Sequence, residues 1–172
     1  MKKILAILTA AVLLLGSASA FAEVVKFAED SSSFDIQMAL PEGASVGEQV
    51  DSELVSVCQI NSEGLASVYI TIAPSDLYGD LSMNDLSEDD VENLKTLASE
   101  QYDNPEMAIE ITPSGNKYIH VSSDAGVGSI FTLYRGYFVE LTQWHDDYSE
   151  LTDADYAFTL QLLHNIEFLP LK

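Results

Sequence analysis

The chain carries one cysteine, Cys58, in 172 residues. A single thiol excludes an internal disulfide, so an apolar core must hold the fold unaided. Cys58 lies in an apolar run without a neighbouring base, and reads as a buried, inert thiol rather than a nucleophile. Basic residues are scarce as well: seven Lys and Arg stand against 28 Asp and Glu, for a net charge of -21. That field repels phosphate backbones and anionic lipid, which argues against nucleic acid and membrane surfaces as partners. Histidine occurs only at His120, His145 and His164, without the H-x-x-x-H spacing of a zinc helix. The serine elbow G-x-S-x-G is missing; Gly126-Val127-Gly128-Ser129 does not meet it, and its glycines do not open a helix that could cradle phosphate. They read as shaping the start of a strand.

What is present begins with a leader. Lys2 and Lys3 precede an apolar run, Ile4 to Leu15, that is too short to span a bilayer. Small residues follow, and cleavage after Ala20 or after Ala22 satisfies the small-x-small rule. The cut after Ala22 is preferred, since Glu23 then opens a polar chain. No cysteine sits there to take a lipid anchor. Residues 1–22 are therefore expected to be a signal peptide and residues 23–172 a single soluble, secreted domain, outside the cytoplasmic membrane. Loss of Lys2 and Lys3 takes the charge to about -23. With 47% hydrophobic residues the domain can bury a core.

Phe34, Ile36, Met38 and Leu40 alternate with Asp35, Gln37 and Ala39, which predicts a strand with one buried face, ended by Pro41-Glu42-Gly43. Val50 to Ile60 and Leu65 to Ala73 read as a hairpin around Asn61-Ser62-Glu63-Gly64. Ser87 offers an N-cap with Asp90 three residues on, and Val91, Leu94, Leu97, Ala98 and Tyr102 recur at helical spacing. That helix is expected to stop near Asp103-Asn104, ahead of Pro105. Met107 to Ile111 and Lys117 to Ser123 are strands around Pro113-Ser114-Gly115-Asn116. Thr152 caps a second helix with a broad apolar arc, taken to run to Ile166-Glu167-Phe168.

The densest apolar stretch is Ser129 to Trp144. It reads as two strands joined at Arg135-Gly136. A two-residue loop pairs Tyr134 with Tyr137, Leu133 with Phe138 and Ile130 with Leu141. One face then carries Ile130, Thr132, Tyr134, Tyr137, Val139 and Leu141; the other carries Phe131, Leu133, Phe138 and Trp144. Both faces are apolar, so both need cover. The expected fold is α+β: a central, mainly antiparallel sheet with helices packed on both faces. A two-sheet sandwich is the rival, but leaves the helices without a purpose.

Three stretches resemble the PsbP/Mog1-like family of secreted or lumenal domains: Phe34-Asp35-Ile36-Gln37 with Pro41-Glu42-Gly43, Tyr134 to Thr142, and Leu151-Thr152-Asp153-Ala154-Asp155 with Ile166-Glu167-Phe168. The resemblance implies an α/β/α sandwich and an accessory or binding role. It implies no shared catalytic set, so no catalytic, cofactor-binding or metal-ligating residue is assigned.

Calcium is the metal that the composition comes nearest to supporting. Asp146, Asp147, Ser149, Glu150 and Asp153 crowd one segment, and Asp76, Asp80, Asp85, Glu88, Asp89 and Asp90 another. Neither has the spacing and central glycine of an EF-hand loop, and solvated helix starts account for most of these charges. The expected function is an exported, non-catalytic accessory or binding domain for an extracytoplasmic protein or ligand. The alternative is a small hydrolase using paired carboxylates, which would show a deep pocket with two converging acids. A binding domain would show an exposed aromatic surface, with Tyr69, Tyr118 and Trp144 as candidates.

Overall fold

The computed structural model describes residues 24–27, 34–102, 104–123 and 126–170. The leader expected over residues 1–22 lies outside the described residues. No described helix is long and apolar enough to cross a membrane.

Ten strands and two α-helices form among the described residues. They are β1 (Val24–Phe27), β2 (Phe34–Ala39), β3 (Ala44–Asp51), β4 (Ser56–Ser62), β5 (Ser67–Pro74), α1 (Glu88–Ser99), β6 (Glu106–Ile111), β7 (Lys117–Ser122), β8 (Val127–Tyr134), β9 (Tyr137–Trp144), α2 (Asp153–His164) and β10 (Ile166–Pro170). Seven strands make one sheet in the order β3-β4-β5-β9-β8-β7-β6, and three make a second in the order β1-β2-β10. Every pairing is antiparallel.

This corrects the expected α+β fold, a central sheet with helices packed on both faces. The chain is mostly strand, and a second sheet supplies cover that had been assigned to a helix. Phe34, Ile36 and Met38 of β2 are fully buried and share a core with Cys58, Ile60, Val68, Ile70 and Ile72 of β4 and β5, and with Ile130, Val139 and Leu141 of the central hairpin. Edge-on rings lock the sheets together: Phe34 meets Tyr134 at 4.8 Å and Tyr137 at 5.3 Å, while Tyr134 stacks on Phe168 at 4.0 Å. Helix α2 adds Phe158, Leu162 and Leu163 to this core. The opposite face of the large sheet gathers Ile119, Val121, Phe131 and Leu133 under Leu94 and Ala98 of α1, with Met83 and Leu86 from the preceding segment.

Three strands escape the sequence reading for separate reasons. β3 is small and polar, Ala-Ser-Val-Gly-Glu-Gln-Val-Asp, so its hydrophobic alternation is faint. β1 has four residues. β10 follows α2 without a breaker: Asn165 caps the helix in a right-handed conformation and its amide donates to Ala39 O at 2.8 Å, leading the chain straight into the pairing with β2.

The hairpin follows the register derived above: Tyr134 opposes Tyr137, Leu133 opposes Phe138, and Ile130 opposes Leu141. Arg135 and Gly136 both take positive φ, 49° and 79°, as a type I′ turn requires. The strain at Arg135 is braced from outside. Its N–H donates to Ser82 Oγ at 3.1 Å, and the Gly136 N–H donates to Leu81 O at 3.3 Å. The glycine ahead of β8 makes room for close approach: a Cβ on Gly126, at φ 70°, would meet the Tyr148 carbonyl oxygen at 2.7 Å.

If Arg135 is strained as this turn implies, Arg135→Asn gains about 0.5 kcal/mol net of the lost contact with the Tyr134 ring, raising Tm by roughly 2 °C, whereas Arg135→Val lowers it. Thermal unfolding should rank the three Asn, Arg, Val; any other order contradicts the turn.

Candidate functional site: a cleft beneath α1

Ser87 caps α1 by accepting the Asp90 N–H at 3.2 Å, as its spacing predicts. The helix ends sooner than expected, at Ser99. Leu94 and Ala98 face the sheet, while Leu97 is 46% exposed. Tyr102 therefore lies past the helix end rather than on its stripe, and drops towards the sheet. Between the C-terminal half of α1 and the hairpin is a cleft of about 430 Å³. Leu94, Leu97 and Leu77 form its walls, and Phe131 and Phe138 its floor, stacked at 5.0 Å.

One polar cluster sits in this apolar setting. Glu140 on β9 stands opposite Phe131 on β8, so the pleat points both at the cleft. Ser129 is buried and donates its hydroxyl to Glu140 Oε1 at 2.5 Å. Burial raises the Tyr102 phenol above its ordinary range; the hydrogen bond with Ser129 opposes this, and the charge of Glu140 and its hydrogen bond with the phenol add to it. Glu100 and Gln101 also line the cleft, and among the described residues no Lys or Arg does. Sequence reasoning missed Glu140, although the signal was visible: it is the sole charged residue in β9, on the face assigned to Phe138 and Trp144.

The aromatic candidates separate. Tyr69 and Trp144 stack at 4.1 Å with an interplanar angle of 3°, and Gln59 Nε2 donates to the Tyr69 hydroxyl at 3.0 Å. They sit on neighbouring strands of the large sheet, both partly exposed. Tyr118 does not join them. It is 1% exposed within the core between the sheets, and burial pushes its phenol far up. Cys58 is likewise fully buried, its thiol pushed up to about 11 by desolvation, which leaves no thiolate for chemistry at neutral pH.

The three histidines lie apart. His164 is exposed in the last turn of α2. His120 on β7 places Nδ1 3.7 Å from Glu110, with its imidazole beside Tyr156 at 5.6 Å. Burial lowers its pKa, and Glu110 only partly offsets this. His145 Nε2 lies 3.1 Å from Asp155 Oδ2. Asp155, 1% exposed, also accepts from Ala66 N–H at 2.6 Å and from the Thr152 N–H and hydroxyl at 2.7 Å each. Desolvation alone would raise its pKa, but these donors outweigh it and hold the carboxyl below its usual value. Ser67 shares an open surface hollow with His145, yet its hydroxyl donates to Asn61 Oδ1 at 2.9 Å, so no serine–histidine nucleophile is assembled.

The acidic segments do not converge either. Asp85 and Asp90 serve the caps at Ser82 and Ser87, and Asp147 accepts from the Ser149 N–H. Among the described residues no three His, Cys, Asp or Glu side chains come together as a metal set. The chain matches no protein-family model, and no curated protein matches it.

Two predictions come from this geometry. Millimolar calcium should leave Tm unchanged beyond a sodium chloride control of equal ionic strength; a saturable rise would contradict the scattered placement of the acids. Acid should weaken the fold in two windows. The folded-state pKa of His120 lies below 6.5, so the unfolded chain takes its proton first and stability falls as pH drops below about 6.5. The pKa of Asp155 lies below 3.8, so its contribution is complete above that value and is lost as pH falls through the folded pKa. Urea unfolding between pH 8 and pH 3 should show His120→Gln removing the upper decline. Asp155→Asn should cost roughly 2 kcal/mol at neutral pH and flatten the lower one. Taking differences from the parent cancels the global relief of acidic repulsion.

Proposed function

We propose that the chain is an exported, non-catalytic binding domain whose ligand enters the cleft between α1 and the β8–β9 face. Export rests on the leader at residues 1–22. The observation that supports binding is the cleft itself: an apolar hollow of about 430 Å³ with exposed Leu77 and Leu97 at its mouth and a small polar cluster inside. Pockets of this size and make-up take small molecules, with apolar walls providing affinity and a few polar groups fixing orientation.

The alternative, a small hydrolase using paired carboxylates, has Glu100 and Glu140 on the same cleft. Such an enzyme needs one carboxyl presented as a proton donor in a dry setting. Glu100 is exposed at the helix end, and Glu140 already accepts the Ser129 hydroxyl. Binding fits these roles better than acid catalysis does.

Titration with 1-octanol, followed by amide chemical shifts, should move Leu94, Ala98, Tyr102, Phe131 and Phe138 together and saturate in the millimolar range, on the order expected for a short alkyl chain. Leu97→Trp, at an exposed position, should block the mouth and abolish the shifts without lowering Tm. Shifts scattered over the surface, or none, would overturn the proposal.

A further inference from the structure

Resting on the binding reading above, we infer that the cleft selects a small amphipathic cation: an apolar body that lies on Phe131 and Phe138, with a primary ammonium that reaches Glu140. Three features of the cleft converge on this. First, the charge is of one sign. Glu140 and Glu100 line the hollow and no basic side chain among the described residues opposes them, in a protein whose net charge is -21. A carboxylate inside apolar walls discriminates between ligands far more strongly than one in water, since the screening medium is displaced when the ligand enters.

Second, acceptor capacity remains free. Glu140 accepts from Ser129 on Oε1 and is hydrogen-bonded to the Tyr102 side chain as well, and a carboxylate with about four lone-pair sites keeps capacity for an incoming donor beyond these two. An ammonium brings three donors and no acceptor, and the hydroxyl oxygen of Tyr102, on the same lining, can accept as well. A neutral alcohol satisfies only one of these groups. A carboxylate ligand brings none of the donors and meets Glu140 as a like charge. Third, the floor is aromatic. The stacked Phe131–Phe138 pair presents ring surface to the hollow, and a cation adjacent to such a surface gains an attraction that a neutral group does not.

The other features of the molecule point less clearly to a ligand. The Tyr69–Trp144 stack spends one face of each ring on the other. The hollow at His145 is open and its acids face water.

The test compares three probes of equal length, octylammonium, 1-octanol and octanoate, by calorimetry on the full secreted domain. Octylammonium should bind at least about tenfold tighter than octanol, as a charge-assisted bond to a partly desolvated carboxylate implies, and octanoate should not bind measurably. The preference should persist in 0.5 M sodium chloride, where the long-range field of the acidic surface is screened. Glu140→Gln keeps an oxygen for Ser129 and so preserves the fold; it should remove the preference, so that octylammonium and octanol bind the variant equally. Equal binding of octylammonium and octanol to the parent overturns the cation preference while leaving the binding function standing. A preference that vanishes in salt, or that survives Glu140→Gln, overturns it too, because the surface field would then be responsible. Failure of all three probes overturns both this inference and the binding reading on which it rests.

Discussion

The structure depends on one constraint: the β8–β9 hairpin is apolar on both faces and must be covered on both. Its register follows from two residues at positive φ, Arg135 and Gly136, and a slip of one position would turn every side chain to the wrong face. Once that register is set, Ile130, Val139 and Leu141 demand one partner layer, and Phe131, Leu133 and Phe138 demand another. Each large side chain so buried contributes roughly 1.5–3 kcal/mol, so neither face can be left in water. β9 also lies in the middle of the seven-stranded sheet, which makes the hairpin the element through which both halves of the sheet are joined.

The two faces are covered in different ways, and that difference creates the site. On one side a second sheet and α2 close over the hairpin with aromatic rings in edge contact, and the layer is tight. On the other, one helix of twelve residues must cover a wide sheet. It covers Ile119, Val121 and Leu133 but ends at Ser99, short of Glu140, and the gap becomes the cleft. Buried charge divides likewise. Asp155 sits on the tight side with donors from Ala66, Thr152 and His145, so it fastens β5, β9 and α2 together. Glu140 sits on the open side with hydrogen bonds to the Ser129 and Tyr102 side chains, and its place on the cleft lining leaves it within reach of something else.

Much of this was legible in the sequence. The period-two alternation of β2, β5, β6 and β7 and the apolar runs of the hairpin gave true strands; the run from Val50 to Ile60, expected as one strand, divides between the end of β3 and β4; and Ser87 and Thr152 cap the helices that their spacing indicated. What the sequence hid has physical causes. β3 lacks large apolar residues, and β10 continues from a helix with no glycine or proline between, so neither announces a strand; with them went the second sheet, and the sandwich of helices was expected in its place. The two apolar faces of the hairpin mark it as core, which turns the search for function to the acidic segments around Asp80 and Asp147 or to the sheet edges. Those acids cap helices or face water, whereas Glu140, one carboxylate inside the apolar strand, lines the cleft. A charge out of place in a hydrophobic pattern carried more information than the many charges in their ordinary places.

Native-state hydrogen exchange tests the central role of the hairpin most directly. If both of its faces anchor the fold, the amides of residues 130–133 and 139–143, with those of their β5 neighbours at 68–72, should be the slowest in the protein and should exchange only through global unfolding. Amides of α1 and of the β1–β2 pair should open sooner. Exchange of the hairpin amides ahead of those of α1 or of the small sheet would contradict the account, because the layers would then be holding the hairpin rather than the hairpin the layers.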